Sequence, residues 1–554
     1  LDRSSAASDV YKRQIDPLSS KTTAAPNEGG HNLGDLYVDD GNSLNWNANA
    51  ALYYTRSFNK HNLNLSVAWE ASSGSSDATN VHYRGFPSGQ FHSSNYAAEI
   101  YEKPSRTEGT SRMVSAWATG NYTWNDIYLA DFSVRFDGSS DFGSKQRWAP
   151  FFSGGLGVNI HNYEFLKGNE IVNKLKVRAS YGRTGKASFP AYAATTMYEA
   201  LFDEWYATGF GAVLKALGNN NLTWEKTDKF NVGIEMQFLN RRLTVDADYY
   251  HDKTIDLVND VSLSQTSGFS SYKDNMGEVL NQGFELQVRG EVFRNRDWLV
   301  ALWGNMAHNK NKILKISDSQ RAYNQRVKEF YENIVNEEYG RYNSKYGVPI
   351  SQYEEGQSLT SIWAVKSLGI DPTTGKEIFL NRDGSVSDTW NATQEVAVGN
   401  TEPKFNGSIG FNAAYKQWSL FAAFQYEWGG QEYNQTLVDR VENARIQYQN
   451  VDLRVLTDRW KQPGDIAQFK DIKNADSATM PTSRFVQDKA YLRLSALTLS
   501  YDFNREWIKK YLGMNMLRLE ASTRDFINWN SIRQERGLSY PKSWTVDFSI
   551  KAQF

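Results

Sequence analysis

Along most of this chain, apolar and polar residues alternate one by one, in runs of about ten residues, the length of a tilted bilayer-crossing strand. Ala130, Phe132, Val134 and Phe136 alternate with Asp131, Ser133, Arg135 and Asp137. Leu243, Val245, Ala247 and Tyr249 alternate with Thr244, Asp246 and Asp248. Phe284, Leu286, Val288 and Val292 share a face opposite Glu285, Gln287, Arg289 and Glu291. Trp418 through Trp428, Leu497 through Phe503, and Leu517 through Ala521 repeat the pattern. Successive strand side chains point to opposite faces, so each run has one greasy face and one wet face. Many wet-face residues are ionised, and a dry core would have to pair every one of them. These faces therefore look out on water, which lies outside a sandwich but inside a barrel.

The connections decide between those two. Asn59-Lys60-His61, Trp124-Asn125-Asp126, Asn240-Arg241-Arg242 and Lys416-Gln417 each join two alternating runs by a tight turn. Other connections are long, near 73–110, 137–147, 183–221, 252–273, 311–403 and 429–490. Short turns at one end and long loops at the other are the mark of a membrane barrel with periplasmic turns and extracellular loops. The expected fold is all-β, a transmembrane antiparallel β-barrel with roughly 15–17 strands. Within the longest loop, Ala322, Val327, Phe330, Tyr331, Ile334 and Val335 fall near a 3.6-residue period, which predicts a helix over 318–340.

Composition agrees. Aromatics make up 14% of the 554 residues, Pro numbers only 12, and mean hydropathy is -0.61. No apolar run approaches the ~18 residues of a membrane helix. A chain that is polar overall yet aromatic-rich fits a wall in which one residue in two meets lipid. There is no cysteine, so neither a disulfide framework nor a Cys-based zinc site exists. A net charge of -2 argues against a nucleic-acid partner.

Catalytic and cofactor motifs are not found. Gly185-Lys186-Ala187-Ser188 lacks the Ser or Thr directly after Lys, and the earlier Gly, that a phosphate loop needs. Gly154-Gly155-Leu156-Gly157 sits in a strand-like run with no following helix. The seven histidines form no helical metal pair, and Asp137, Asp141, Asp371 and Asp383 lack the spacing of an EF-hand. The reading is of a non-enzyme without cofactor or metal. Trp205, Tyr206 and Phe210 are candidate substrate contacts, since aromatic faces stack on sugar rings; packing inside their own loop is the plainer reading. Asp131, Arg135, Asp246, Asp248, Glu285 and Arg289 are candidate lumen residues, for which solvation of a wide lumen is the plainer role.

The final residues, Trp544 to Phe554, alternate cleanly and stop on an aromatic. They resemble the closing strand of bacterial outer-membrane barrels, which implies that Phe554 signals to the barrel-assembly machinery. Other segments join this one. Arg135-Phe136-Asp137-Gly138-Ser139-Ser140-Asp141-Phe142-Gly143 with Arg147-Trp148-Ala149-Pro150-Phe151-Phe152-Ser153 resembles a signature of SusC-like (RagA-type) TonB-dependent transporters of Bacteroidetes. Leu175 to Gly185, Leu222-Thr223-Trp224-Glu225-Lys226-Thr227, Asp248-Tyr249-Tyr250, Asn275 to Leu286 and Tyr491-Leu492-Arg493-Leu494 resemble further motifs of that family, in order. Lys186 stands where that family usually has Asn.

The resemblance implies a 22-strand barrel around a plug, energy delivered through the TonB complex, and a SusD-like surface lipoprotein as lid. It implies an outer-membrane location and import of a nutrient, usually an oligosaccharide and sometimes a peptide. A passive porin, a secreted carbohydrate-binding β protein and a membrane-anchored enzyme are the rival readings. Residues 1–14 match nothing downstream in style and resemble read-through of a sequencing adapter, so residues 15–554 are expected to be the barrel portion. The plug and early strands of the family are not seen here. An open strand edge in lipid costs several kcal/mol per exposed group, so residues 15–554 alone are not expected to form a stable transporter.

Overall fold

The computed structural model describes residues 6–7, 12–16, 35–86, 93–142, 146–186, 194–206, 209–219, 221–262, 271–275, 277–336, 348–443, 453–474, 479–503, 505–532 and 545–554. One antiparallel sheet of 19 strands dominates it. Four of these are short pieces of two to five residues. The others form a wall: β1 (Asp35–Phe58), β2 (His61–Arg84), β3 (Ser105–Trp124), β4 (Tyr128–Ser139), β5 (Trp148–Asn159), β6 (Val172–Lys186), β7 (Glu225–Phe238) and β8 (Leu243–Ile255). It continues through β9 (Glu278–Arg294), β10 (Trp298–Lys315), β11 (Phe405–Tyr415), β12 (Trp418–Tyr433), β13 (Val486–Asp502), β14 (Met516–Thr523) and β15 (Val546–Gln553).

Each wall strand pairs with the next in sequence, an up-and-down meander from β1 to β15. Among the described residues no pairing joins β15 to β1. Lys12–Asp16 and Ala6–Ala7 lie along the other edge of β1. The strands are longer than alternation alone suggested. β1 and β2 hold full register from Phe58↔His61 to Asp35↔Arg84, so much of the 73–110 stretch expected as loop is strand.

The tight turns follow from their residues. Asn59, Asn125, Asp126 and Asn240 take positive φ of 50° to 57°, a region that Asn and Asp tolerate better than other side chains. Lys416 adopts the same conformation at φ 52°.

One face of the wall is a continuous apolar surface left exposed, including Leu52, Val67, Phe132, Val134, Leu156, Leu302, Ile409 and Phe548. A water-soluble sandwich would cover this face; a lipid-facing wall requires it bare. Its limits are visible. Toward the long loops the same face turns ionic, with Arg183–Asp228 at 2.6 Å and Lys253–Glu278 at 2.8 Å. Toward the short turns it ends in aromatic pairs, Trp124–Tyr128, Trp298–Tyr415 and Trp418–Tyr501, with centroids 4.4 to 5.3 Å apart. Amphipathic rings settle at the boundary between hydrocarbon and water.

The long loops are folded. The helix expected over 318–340 is α1, Asp318–Asn336. It starts in a capping box: Ser317 Oγ accepts from Gln320 N at 3.1 Å and Gln320 Oε1 accepts from Ser317 N at 3.0 Å. Val327 and Tyr331 bury its inner face on Ala392, with Ile350 and Trp390 beside them. A second core joins Leu437, Val438, Val441, Val455, Phe469 and Phe485.

Candidate functional site

The pairing register places all six candidate lumen residues on one face, the polar one. Asp131 lies opposite Gly155, and Arg135 opposite Phe151. Asp246 lies opposite Gln287, Asp248 opposite Glu285, and Thr244 opposite Arg289. Two of them, Arg135 and Asp248, sit in charge clusters. In the first, the Arg135 guanidinium is 2.6 Å from Asp137, donates to Ser115 Oγ at 2.9 Å, and lies over the Trp117 ring at 4.8 Å. In the second, Glu235 meets Lys174 at 2.6 Å, and Lys176 and Arg178 at 3.3 Å each. Arg178 also pairs with Asp248 at 2.6 Å and donates to Asn231 at 3.0 Å. Gly233 makes room for that pair: a Cβ there would meet Asp248 Oδ1 at 2.4 Å and Arg178 Cζ at 2.8 Å. Arg135, Glu235, Arg178 and Asp248 thus have charged partners while staying partly exposed to water.

Sequence reasoning missed the aromatics of this polar face. Trp117 lies opposite Arg135 and Trp303 opposite Arg289, and Trp303 stacks at 6.2 Å on Phe421. An apolar residue on the wrong parity is the only signal available, and a single one is easily read as a break in the pattern.

A polar cavity of about 1050 Å³ opens where β10 and β12 run past the start of β11. Its lining is rich in amides. Asn311 donates to Asn281 at 2.8 Å and accepts from Leu359 N at 2.8 Å, and Asn309 reaches Glu402. Gln431 accepts from Asn400 N at 3.1 Å and donates to Asp488 at 3.1 Å. Charged residues, Lys310, Glu402, Lys404, Asp488 and Lys489, share the lining, so the cavity offers both donors and acceptors to a multiply hydrogen-bonding ligand.

Above the wall, the two longest loops are locked together by buried charge. Arg484 lies between Glu377 of one loop, at 2.8 Å, and Glu442 of its own, at 2.7 Å. Burial opposes the charge on Arg484, but Glu442 and Glu377 outweigh that and hold its pKa above the ordinary guanidinium value. Thr482 Oγ1 donates to Glu377 at 2.6 Å, and Arg459 donates to the Glu442 and Lys470 carbonyls at 3.0 and 2.8 Å. Burial pushes the Lys470 ammonium down to about 8. Beneath α1, Glu395 is fully buried, accepts from Gln352, and is pushed up to about 7 by loss of water. Trp205, Tyr206 and Phe210 belong to a two-stranded hairpin whose register pairs Trp205 with Phe210 and Tyr206 with Gly209. Their side chains lie outside the described residues. Phe554 follows β15 and is 79% exposed.

Residues 6–522 match the family described as TonB dependent receptor-like, beta-barrel, and the chain belongs to that family. Such barrels reside in the outer membrane, where this wall's bare apolar face meets lipid. TonB-dependent receptor P3 of Formosa agariphila is 26% identical over 504 residues, covering 90% of this chain and 49% of the relative. TonB-dependent receptor SusC of Bacteroides thetaiotaomicron is 30% identical over 305 residues, covering 51% of this chain and 29% of the relative. The chain spans about half the length of the curated relatives it matches. Among solved structures, the RagAB peptide transporter superposes with a TM-score of 0.76 at 23% identity, over 90% of this chain and 53% of that one. That likeness establishes the fold.

Proposed function

We propose that the protein to which this chain belongs imports a nutrient oligosaccharide across the outer membrane, powered through the TonB complex and capped by a SusD-like lipoprotein. Membership of the TonB-dependent receptor family carries the reading, and the relative named SusC supports the choice of partner. The polar face lines the conduit, with Asp131, Arg135, Asp246, Asp248, Glu285 and Arg289 keeping it hydrated. The amide-lined cavity supports a cargo rich in hydroxyls, and the hairpin aromatics Trp205, Tyr206 and Phe210 stack on its rings. Phe554 delivers the closing strand to the assembly machinery. The chemistry is transport, with no bond made or broken.

The test is uptake of fluorescent oligosaccharides and of fluorescent peptides by cells with the gene intact, deleted, or present in a TonB-deficient background. Oligosaccharide uptake lost in both altered backgrounds supports the proposal. Peptide uptake alone replaces the cargo, and uptake that persists without TonB makes the barrel a passive porin.

A further inference from the structure

The turn between β13 and β14 is a helix, α2, Arg505–Leu512. It lies at the short-turn end: Asp502 N donates to Gln417 O, in the turn between β11 and β12, at 2.9 Å. Helical spacing puts Trp507, Ile508, Tyr511 and Leu512 on one arc and Lys509 and Lys510 beyond its two edges. Ile508 is fully buried, whereas Trp507, Tyr511 and Leu512 are 47%, 63% and 44% exposed. These exposed residues extend the membrane surface. Trp418 packs on Tyr501 at 4.8 Å, Tyr501 on Phe503 at 5.0 Å, Phe503 on Trp507 at 6.1 Å, and Trp507 on Tyr511 at 5.7 Å. The row starts on the apolar face of the wall, at Trp418 and Tyr501, and ends on the helix.

Charge is added where this row ends. Lys510 Nζ lies 5.2 Å from the Tyr511 ring, and Lys416 Nζ of the adjoining turn lies 5.3 Å from the Tyr415 ring. The helix carries Arg505, Lys509 and Lys510 against a single acid, Glu506. Asp502, at the end of β13, is taken by Arg518 at 2.6 Å. An amphipathic helix with aromatic residues on its apolar arc and lysines on its flanks lies in a membrane interface, and its lysines face the headgroups.

We propose that α2 is a binding site for the headgroup of an anionic phospholipid in the periplasmic leaflet. Lys509 and Lys510, with Lys416 alongside, hold the phosphate and the headgroup charge. Trp507 and Tyr511 seat the glycerol region, and the apolar wall below them takes the acyl chains. Continuity with the lipid face and complementary charge select a lipid over a second copy of the chain, which would set lysines against lysines. The site rests on the barrel lying in the membrane and is independent of its cargo.

The test uses the longest natural form of the protein that carries this chain, in nanodiscs of equal phosphatidylglycerol and phosphatidylcholine. Retained lipids are counted by native mass spectrometry after release into mild detergent. The wild type should retain phosphatidylglycerol over phosphatidylcholine by about thirtyfold, the scale of two surface lysines near anionic lipid. Lys509→Gln with Lys510→Gln should abolish the preference, and Lys509→Arg with Lys510→Arg should keep it. Heat-dependent gel migration verifies that each variant is folded. Equal retention of the two lipids by the wild type, dimers without bound lipid, or an unchanged preference in the folded Gln variant would overturn the proposal.

Discussion

Arg484→Ala should loosen the extracellular body while leaving the wall intact. In the native loops, Arg484 donates to Glu377 at 3.2 and 2.8 Å, to Glu442 at 3.2 and 2.7 Å, and to the Gln468 carbonyl at 2.6 Å. Its removal leaves two carboxylates facing one vacated site, with Glu442 fully buried. Breaking one side of a buried ion cluster costs about 3–5 kcal/mol. At about 1.4 kcal/mol per tenfold, the opened loop body becomes roughly 10²- to 4 × 10³-fold more populated. The reporters are the amides that join the two loops, Ser483 N to Val365 O at 2.9 Å and Val365 N to Pro481 O at 3.2 Å. Hydrogen exchange at these amides should accelerate by that factor, while amides of β6 to β9 keep their protection. Arg484→Met combined with Glu377→Gln and Glu442→Gln should restore most of the protection, because nothing charged then remains to be stranded. Wild-type exchange rates at Ser483 and Val365 in the single variant would refute the view that Arg484 fastens the loops.

Three further outcomes follow from individual sites. The Glu395 carboxyl has a folded-state pKa raised to about 7 from 4.5, so its contribution to loop packing is full below about pH 4.5 and is lost as pH rises through 7. Glu395→Gln should remove a pH dependence on the order of 3 kcal/mol, read as protease cleavage within 318–400 between pH 5 and pH 8. Gly283→Val places a Cβ 1.9 Å from the His308 carbonyl oxygen, a backbone atom that cannot step aside; a loss of about 3 kcal/mol or more should lower the temperature at which the barrel unfolds on gels. Phe554→Ala should leave the stability of assembled barrels unchanged but reduce their amount in the outer membrane, as seen by quantitative blotting of membrane fractions.

The wall was legible because its physics is local. Alternation reports which side of a strand meets lipid, and Asn59, Asn125 and Asn240 mark turns that need left-handed backbone. The capped, periodic α1 was legible for the same reason. What escaped was set by partners distant in sequence. Glu377 and Arg484 are 107 residues apart, and neither has neighbours that announce the other. Trp117 and Trp303 break the parity of their strands for the sake of Arg135 and the space above Gly410, which only the register reveals. The length of β1 and β2 escaped as well, because serines such as Ser72, Ser73, Ser75 and Ser76 read as loop although they pair as strand.

That length has a mechanical corollary. A tilted strand needs about 9–11 residues to cross the hydrocarbon, and β1 and β2 have 24 each. Their short turn, at Asn59, lies at the periplasmic end, so the surplus all stands on the outside. A dozen residues at about 3.3 Å each, tilted, raise the rim roughly 30 Å above the lipid surface. The β1–β2 side therefore stands as a parapet, while β4 and β5, with 12 residues each, end lower. A lid anchored by a lipid tail on that side must climb it, a route that needs a leash of about ten extended residues between the acylated end and the first folded residue of that partner, whereas β14 and β15, with 8 residues each, leave a lower way round.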